Sequence, residues 1–220
     1  SFDSTQPHNC KVAPIQLSVT SIPGANFTCN ANEKINLNLS FLRDPRIVEE
    51  VTYILAWTTT PWTLPANNGL AVGNKIDYVL IETYNKYSRK EVRVVLAKEC
   101  INKFFSEDNC VSGQVNFQEN HLEYKVIKQI KGSDLCGLDY HQLLPYIKIE
   151  KPALTIVHAD FVSTDEGSGI VHISLTFGSD DFTTSRKNKM PGVFVKDSNN
   201  EDVPIVDKNG KSHYLRYYMM

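Results

Sequence analysis

The sequence has no long apolar run, no closely spaced pair of cysteines and no surplus of one charge, and each absence removes a class of function. No apolar stretch approaches the roughly 20 residues that a membrane helix requires. The opening SFDSTQPHNC lacks the charged, apolar and small-residue order of a signal peptide. With 23 basic and 25 acidic side chains the formal net charge is −2, so no global field draws the chain to nucleic acid or to an anionic membrane. A nucleic-acid partner would have to be held by a local patch or by another domain. The cysteines, Cys10, Cys29, Cys100, Cys110 and Cys136, are odd in number and form no CxxC pair, which argues against a zinc site and a dense disulfide framework. Reduced thiols and a cytoplasmic location fit that pattern. The triplets Asn26-Phe27-Thr28 and Asn38-Leu39-Ser40 point the other way, since a secreted chain would carry glycans there.

What is present suffices for one substantial core: 220 residues, 41% of them hydrophobic and 22% charged. Residues 1–45, rich in Asn, Ser, Thr and Pro, read as an N-terminal extension or entry strands, with one alternating run at Ile35, Leu37, Leu39 and Phe41. Residues 46–220 read as the domain core. There Val48 to Trp57, Tyr78 to Ile81 and Val92 to Leu96 are apolar runs heavy in β-branched and aromatic residues, separated by polar turns. Leu154 to Val157, Ile170 to Ile173 and Val193 to Val195 look like further strands, and Lys98 to Phe105 like a short helix. Asn199 to Asp202 reads as a solvated turn. The expected fold is α+β and β-rich, a closed or nearly closed barrel-like core with short peripheral helices.

Two stretches carry chemistry. In AWTTTPWTLPANNG, residues 56–69, a strand runs out into three threonines and two prolines. Thr60 and Pro61 are suited to the N-cap and first position of a helical turn, and Pro65 should cut that turn short. The hydroxyls of Thr58, Thr59 and Thr60, with the first-turn amides, would then converge where an ester carbonyl or an attacking water could sit. Physics alone favours the plainer reading, a Thr-rich strand end with capping.

The second stretch is DEGSGIVHISLTFGSDDF, residues 165–182. Gly167 and Gly169 permit a tight turn around Ser168, His172 lies on the strand that follows, and Gly178, Ser179, Asp180 and Asp181 make a cap-and-acid start for a helix through Thr183 to Asn188. By themselves His172 is a core histidine and the two acids are capping residues. His158 beside Asp160 resembles half of a metal site without a third ligand. Ser168 reads as a turn residue, since no GxSxG elbow is present. Tyr214, Tyr217 and Tyr218 with Arg216 read as core.

Together, WTTTPWTLPANNGLAV and GSGIVHISLTFGSDDF resemble the editing domain of isoleucyl-tRNA synthetases, the insertion that hydrolyses mischarged tRNA. The resemblance is carried by residues 47–82 and 130–182, including GSDLCGLDYHQLLPY, and is faint before residue 45. Thr58-Thr59-Thr60-Pro61 stands where the valyl and leucyl branches carry TTRP. Ser174, Leu175 and Thr176 depart from the family's usual Ala-Pro-Ala, and Ser168 replaces its usual Thr. The HIGH and KMSKS signatures of amino-acid activation are absent, so the chain is expected to be an excised domain of a larger enzyme.

The resemblance implies roles. Asp181 would hold the substrate α-ammonium; Thr58, Thr59 and Thr60 would position ester and water; His172 would contact the terminal ribose or line the side-chain sieve. Trp62 would form a wall, Asn67 would orient the tRNA end, and Gly167 and Gly169 would line the substrate site. It implies deacylation without metal, cofactor or covalent intermediate, and as partners the valine-carrying 3′ end of tRNA(Ile) and the rest of a parent synthetase. No membrane contact and a monomeric domain are expected. Two other readings stay open: a non-catalytic binding module of the same fold, motivated by the Ser174-Leu175-Thr176 loop, and a secreted β-rich interaction protein.

Overall fold

The computed structural model describes residues 15–19, 52–85, 88–118, 121–144, 148–149, 152–197 and 199–205. The alternating run at Ile35 to Phe41, both glycosylation triplets and the C-terminal tyrosines lie outside these residues, and with them nearly all of the expected extension 1–45.

Ten strands are described: β1 (Ile15–Val19), β2 (Thr52–Ala56), β3 (Gly69–Val72), β4 (Asp77–Tyr84), β5 (Glu91–Ala97), β6 (Tyr124–Lys131), β7 (Thr155–His158), β8 (Ile170–Ile173), β9 (Phe194–Lys196) and β10 (Asp202–Pro204). The α-helices are α1 (Ile101–Phe104), α2 (Gly132–Leu135) and α3 (Ser179–Lys187). One sheet runs β1-β2-β5-β4-β6, a second β7-β3-β8, and β9 pairs with β10 as a hairpin. The β2–β5 and β3–β7 pairs are parallel; the others are antiparallel.

Among the described residues neither large sheet closes on itself, so the barrel-like part of the expectation is not confirmed. The reason lies in the burial pattern. Along β4 and β5, Tyr78, Leu80, Val95 and Ala97 join Ile54 of β2 on one face, and they pack with Leu70, Ile156 and Ile170 of the smaller sheet. The alternate residues Val79, Ile81, Val94 and Leu96 face a second cluster with Leu55, Phe105 and Tyr124. A sheet buried on both faces is a layer in a stack, and each large side chain it buries contributes roughly 1.5–3 kcal/mol.

The two sheets touch at one seam, and the seam makes the site. Trp57, just past β2, donates its amide to Ile170 O at 2.8 Å and accepts from the His172 amide at 3.3 Å. The turn before β8 is fastened to the ends of the larger sheet: the Ala97 amide donates to Ser168 O, Ser168 Oγ donates to Leu55 O, and the Tyr78 hydroxyl donates to Gly169 O at 2.7 Å. Gly167 has φ +66°, and a Cβ there would lie 2.3 Å from Trp57 Cγ; at Gly169, φ +74°, a Cβ would lie 2.4 Å from Ala97 Cβ. Both positions need glycine for backbone conformation and for space.

Local expectations shift in identifiable ways. The segment Lys98 to Phe105 divides into a 3₁₀ turn at Lys98–Cys100 and the short α1. Leu154 has φ 58°, so β7 starts one residue later than its apolar run suggests. The hairpin strand β9 runs Phe194–Lys196 rather than Val193 to Val195, and the turn after it holds Asn200 at φ 63°. Helix α3 begins at Ser179 with Gly178 in the N-cap position and no side-chain cap. β3 and β6 were not expected at all, nor was β10, whose first residue, Asp202, belongs to a stretch that reads as a solvated turn.

Candidate editing site

The segment after β2 folds as the 3₁₀ helix Pro61–Ala66. Thr60 occupies the N-cap position, but no side chain caps the helix, and Pro65 lies inside it instead of ending it. A 3₁₀ helix tolerates this because it closes every third residue, and its last bond is made by the Asn67 amide to Leu64 O at 3.0 Å. The chain then enters β3 directly.

The same threefold period aligns hydroxyls. Thr58 Oγ1 accepts from the Thr60 amide at 3.0 Å and lies 3.3 Å from Thr60 Oγ1. Thr60 Oγ1 lies 3.3 Å from Thr63 Oγ1, which donates to Thr60 O at 2.7 Å. Thr63 Oγ1 also meets His172 Nε2 at 3.0 Å. Thr58, Thr60 and His172 are therefore brought together, with Thr63 as the link that sequence reading missed. Thr59 is exposed and stands apart from this chain of contacts.

The far side of His172 is fixed by Asn67. Its Nδ2 lies 2.7 Å from His172 Nδ1, 2.8 Å from Gly69 O and 3.4 Å from Ile173 O. Two carbonyls beside that atom require it to be the amino group, so His172 Nδ1 accepts and Nε2 carries the proton. Asn67 Oδ1 in turn accepts from the Tyr140 hydroxyl at 2.6 Å, and burial pushes that phenol far above its ordinary value, keeping it a donor. The proton order is then unique: Tyr140 to Asn67, Asn67 to His172, His172 to Thr63, Thr63 to the Thr60 carbonyl. Burial lowers the His172 pKa to about 4, so the ring is neutral near pH 7. Asn67 is 2% exposed and lies beneath the site, where it holds the ring and does not face a tRNA end.

Asp181, on the first turn of α3, does not cap its own helix. Its Oδ2 accepts from the Ser174 amide at 2.9 Å, which ties the carboxylate to the residue following β8, two positions from His172. Burial raises its pKa to about 6, opposed by the Ser174 hydrogen bond and supported by the neighbouring charge of Asp180. Asp180 itself is exposed. A half-buried carboxylate held by one amide among the described residues, with lone pairs to spare, is suited to a cation. Trp62, 49% exposed, stands on the 3₁₀ helix. Gly167 and Gly169 serve the seam rather than offering a surface.

The other residues weighed from sequence fall elsewhere. His158 Nε2 meets Asp160 Oδ1 at 2.8 Å, beside a groove of about 500 Å³ lined by Asn74, Cys136, Thr155, Asn188 and Met190 among others. None of the Thr-rich residues, His172 or Asp181 borders it. Among the described residues no three His, Cys, Asp or Glu side chains are grouped to hold a metal, and no helix is long and apolar enough to cross a membrane. Ser168 is fully buried with Oγ bonded to Leu55 O, a turn residue as expected.

No family model matches the chain. The isoleucine-tRNA ligase of Cytophaga hutchinsonii is 45% identical over 162 residues, covering 73% of this chain and 15% of that protein. The isoleucine-tRNA ligase of Bacteroides thetaiotaomicron is 39% identical over 176 residues, covering 74% and 15%. The chain belongs to the isoleucyl-tRNA synthetase family. It spans 15% of the length of these relatives. Its fold is that of synthetase editing domains: the crystal structure of GlLeuRS-CP1 aligns with TM-score 0.55 at 19% identity over 79% of this chain and 59% of that one. The P. knowlesi cytosolic leucyl-tRNA synthetase editing domain aligns with TM-score 0.54 at 17% identity, covering 80% and 63%. In this fold the relay and Asp181 thus meet at the C-terminal end of one short strand, β8, through the His172 side chain and the Ser174 amide.

Proposed function

We propose that the domain proofreads tRNA(Ile) by hydrolysis, releasing valine from Val-tRNA(Ile) or valyl adenylate on behalf of a cytoplasmic parent synthetase. The observation that supports this best is the pairing of an ordered hydroxyl relay with a cation-seeking carboxylate across β8. A pocket shaped for isoleucine rejects valine weakly, because a missing methylene is worth about 1–3 kcal/mol; this synthetase family is the standard illustration of that limit and of the second sieve that relieves it.

In this reading Asp181 takes the α-ammonium as a charge-assisted pair. Thr60, partly exposed and with its hydroxyl held 3.3 Å from those of both Thr58 and Thr63, orients the water through its hydroxyl oxygen, and Thr58 holds the Thr60 amide. His172 is a neutral wall whose Nε2 proton is committed to Thr63; it holds the threonines in place and does not abstract a proton. Trp62 closes the outer side. With no strong base beside the ester, rate enhancement comes from positioning and fixed dipoles. The tRNA 3′ end and the rest of the parent enzyme are the partners, no membrane is involved, the domain acts as a monomer, and no metal or cofactor is required.

The test is deacylation of Val-tRNA(Ile) and Ile-tRNA(Ile) by the chain and by a synthetase carrying it. Valine should be released faster than isoleucine, and equal rates would refute the assignment. The commitment of both His172 nitrogens favours one rival, a binding module without turnover. Saturable binding of a valyl-adenosine analogue with no release from the ester would establish that rival.

A further inference from the structure

The residues after β8 contain buried polar atoms without a partner among the described residues. Ser174 is 1% exposed, yet its Oγ has no hydrogen-bond partner among the described residues, and Thr176 Oγ1 is likewise buried without one. A buried hydroxyl without a partner is destabilising by about 1–3 kcal/mol and is uncommon enough to need a reason.

The position supplies one. The Ser174 amide is the donor that holds Asp181 Oδ2 at 2.9 Å, and the unpaired hydroxyl is separated from that amide by only the Cα–Cβ linkage. Ser174 is the first residue after β8, whose last residue, Ile173, packs with Ala71 and Met190. The hydroxyl therefore lies at the Asp181 end of the site. Two acceptors of different kind then stand together: a carboxylate, which supplies charge, and a neutral oxygen, which supplies direction. A primary ammonium has several donors to distribute and fits that pair; a quaternary or acylated nitrogen does not.

We infer that Ser174 is a substrate-positioning residue whose hydroxyl accepts a hydrogen bond from the primary ammonium bound by Asp181. This rests on the editing reading and extends it: the ammonium is held by two residues, and its orientation fixes where the ester falls relative to Thr60.

The experiment measures binding to the chain by calorimetry with two probes, an amide-linked valyl-adenosine and its isosteric counterpart lacking the α-amine. Wild type should prefer the amine-bearing probe. Ser174→Ala should weaken the amine-bearing probe by roughly tenfold, the worth of a hydrogen bond to a charged group, and leave the des-amino probe unchanged. Its melting temperature should be unchanged or higher, since the unpaired hydroxyl is gone. Equal affinity of Ser174→Ala and wild type for the amine-bearing probe, with Asp181→Asn still losing it, overturns the Ser174 assignment alone. A lowered melting temperature with equal weakening of both probes makes the hydroxyl structural and also overturns it. A wild-type chain that shows no preference for the amine overturns the editing reading together with the inference.

Discussion

The two sides of the site, both at the C-terminal end of β8, are built on opposite principles. At the His172 end the relay is closed: both ring nitrogens, the Asn67 amide and the Tyr140 hydroxyl all have partners inside the protein. At the Asp181 end, among the described residues, the carboxylate is held by the Ser174 amide and Ser174 Oγ and Thr176 Oγ1 have no partner. A closed network fixes geometry, and an open one waits for a ligand. The proposed editing function calls for both, because a sieve that distinguishes one methylene must not yield while its substrate is held.

That contrast can be broken from either side. The largest effect belongs to the open end. Asp181→Ala should lower valine release by on the order of a hundredfold or more, since the misplaced ester loses its near-attack position, and single-turnover deacylation reads this directly. Fold and melting temperature should survive. At the closed end the balance reverses: Asn67→Ala leaves His172 Nδ1 and the Tyr140 hydroxyl unpaired, so urea denaturation should show a loss of about 2–4 kcal/mol. Activity should fall with it. Gly167→Ala attacks the seam beneath both ends, combining an unfavourable φ with overlap on Trp57. A destabilisation of about 2–4 kcal/mol is expected, visible as a fall in melting temperature.

A smaller effect lies in pH dependence. Asp181, raised from 3.8 to about 6, binds more protons folded than unfolded in that window, so its contribution makes stability fall as pH rises through it. His172, lowered from 6.5 to about 4, binds fewer protons folded, so its contribution is present above pH 6.5 and is lost as pH falls toward 4. Between pH 4 and 6 the two oppose each other. Asp181→Asn should leave the histidine arm alone, so denaturation midpoints of that variant should climb more steeply with pH than those of wild type. Valine release by wild type should rise as Asp181 ionises around pH 6. The smallest effect is Thr59→Ala, which removes an exposed hydroxyl outside the relay and should change the release rate by less than about threefold; a larger loss would bring Thr59 back into the site.

The sequence disclosed the residues whose roles are local or motif-borne. The Thr-rich turn, the glycine turn before β8 and the acid on the first turn of α3 were all legible from residue type and spacing. What it hid depends on partners distant in the chain. Tyr140 matters only because the fold brings it to Asn67, and nothing near it in sequence says so. Thr63 was legible in principle, three residues after Thr60, but only to a reader expecting 3₁₀ rather than α periodicity. β3 is buried along its whole length and so shows no alternation, whereas the partial alternation of β6 was there to be read. Layers in place of a barrel follow from which faces meet, and faces are not written in any one segment.

The relay also sets a timetable for the chain. Its bonds join residues 73, 105 and 109 positions apart, and contacts of such separation form late, after the loops between them have closed. On a ribosome the threonines emerge long before the histidine that aligns them. A nascent domain therefore has no assembled relay until β8 has been made and docked, so the proposed proofreading waits for the fold to be complete.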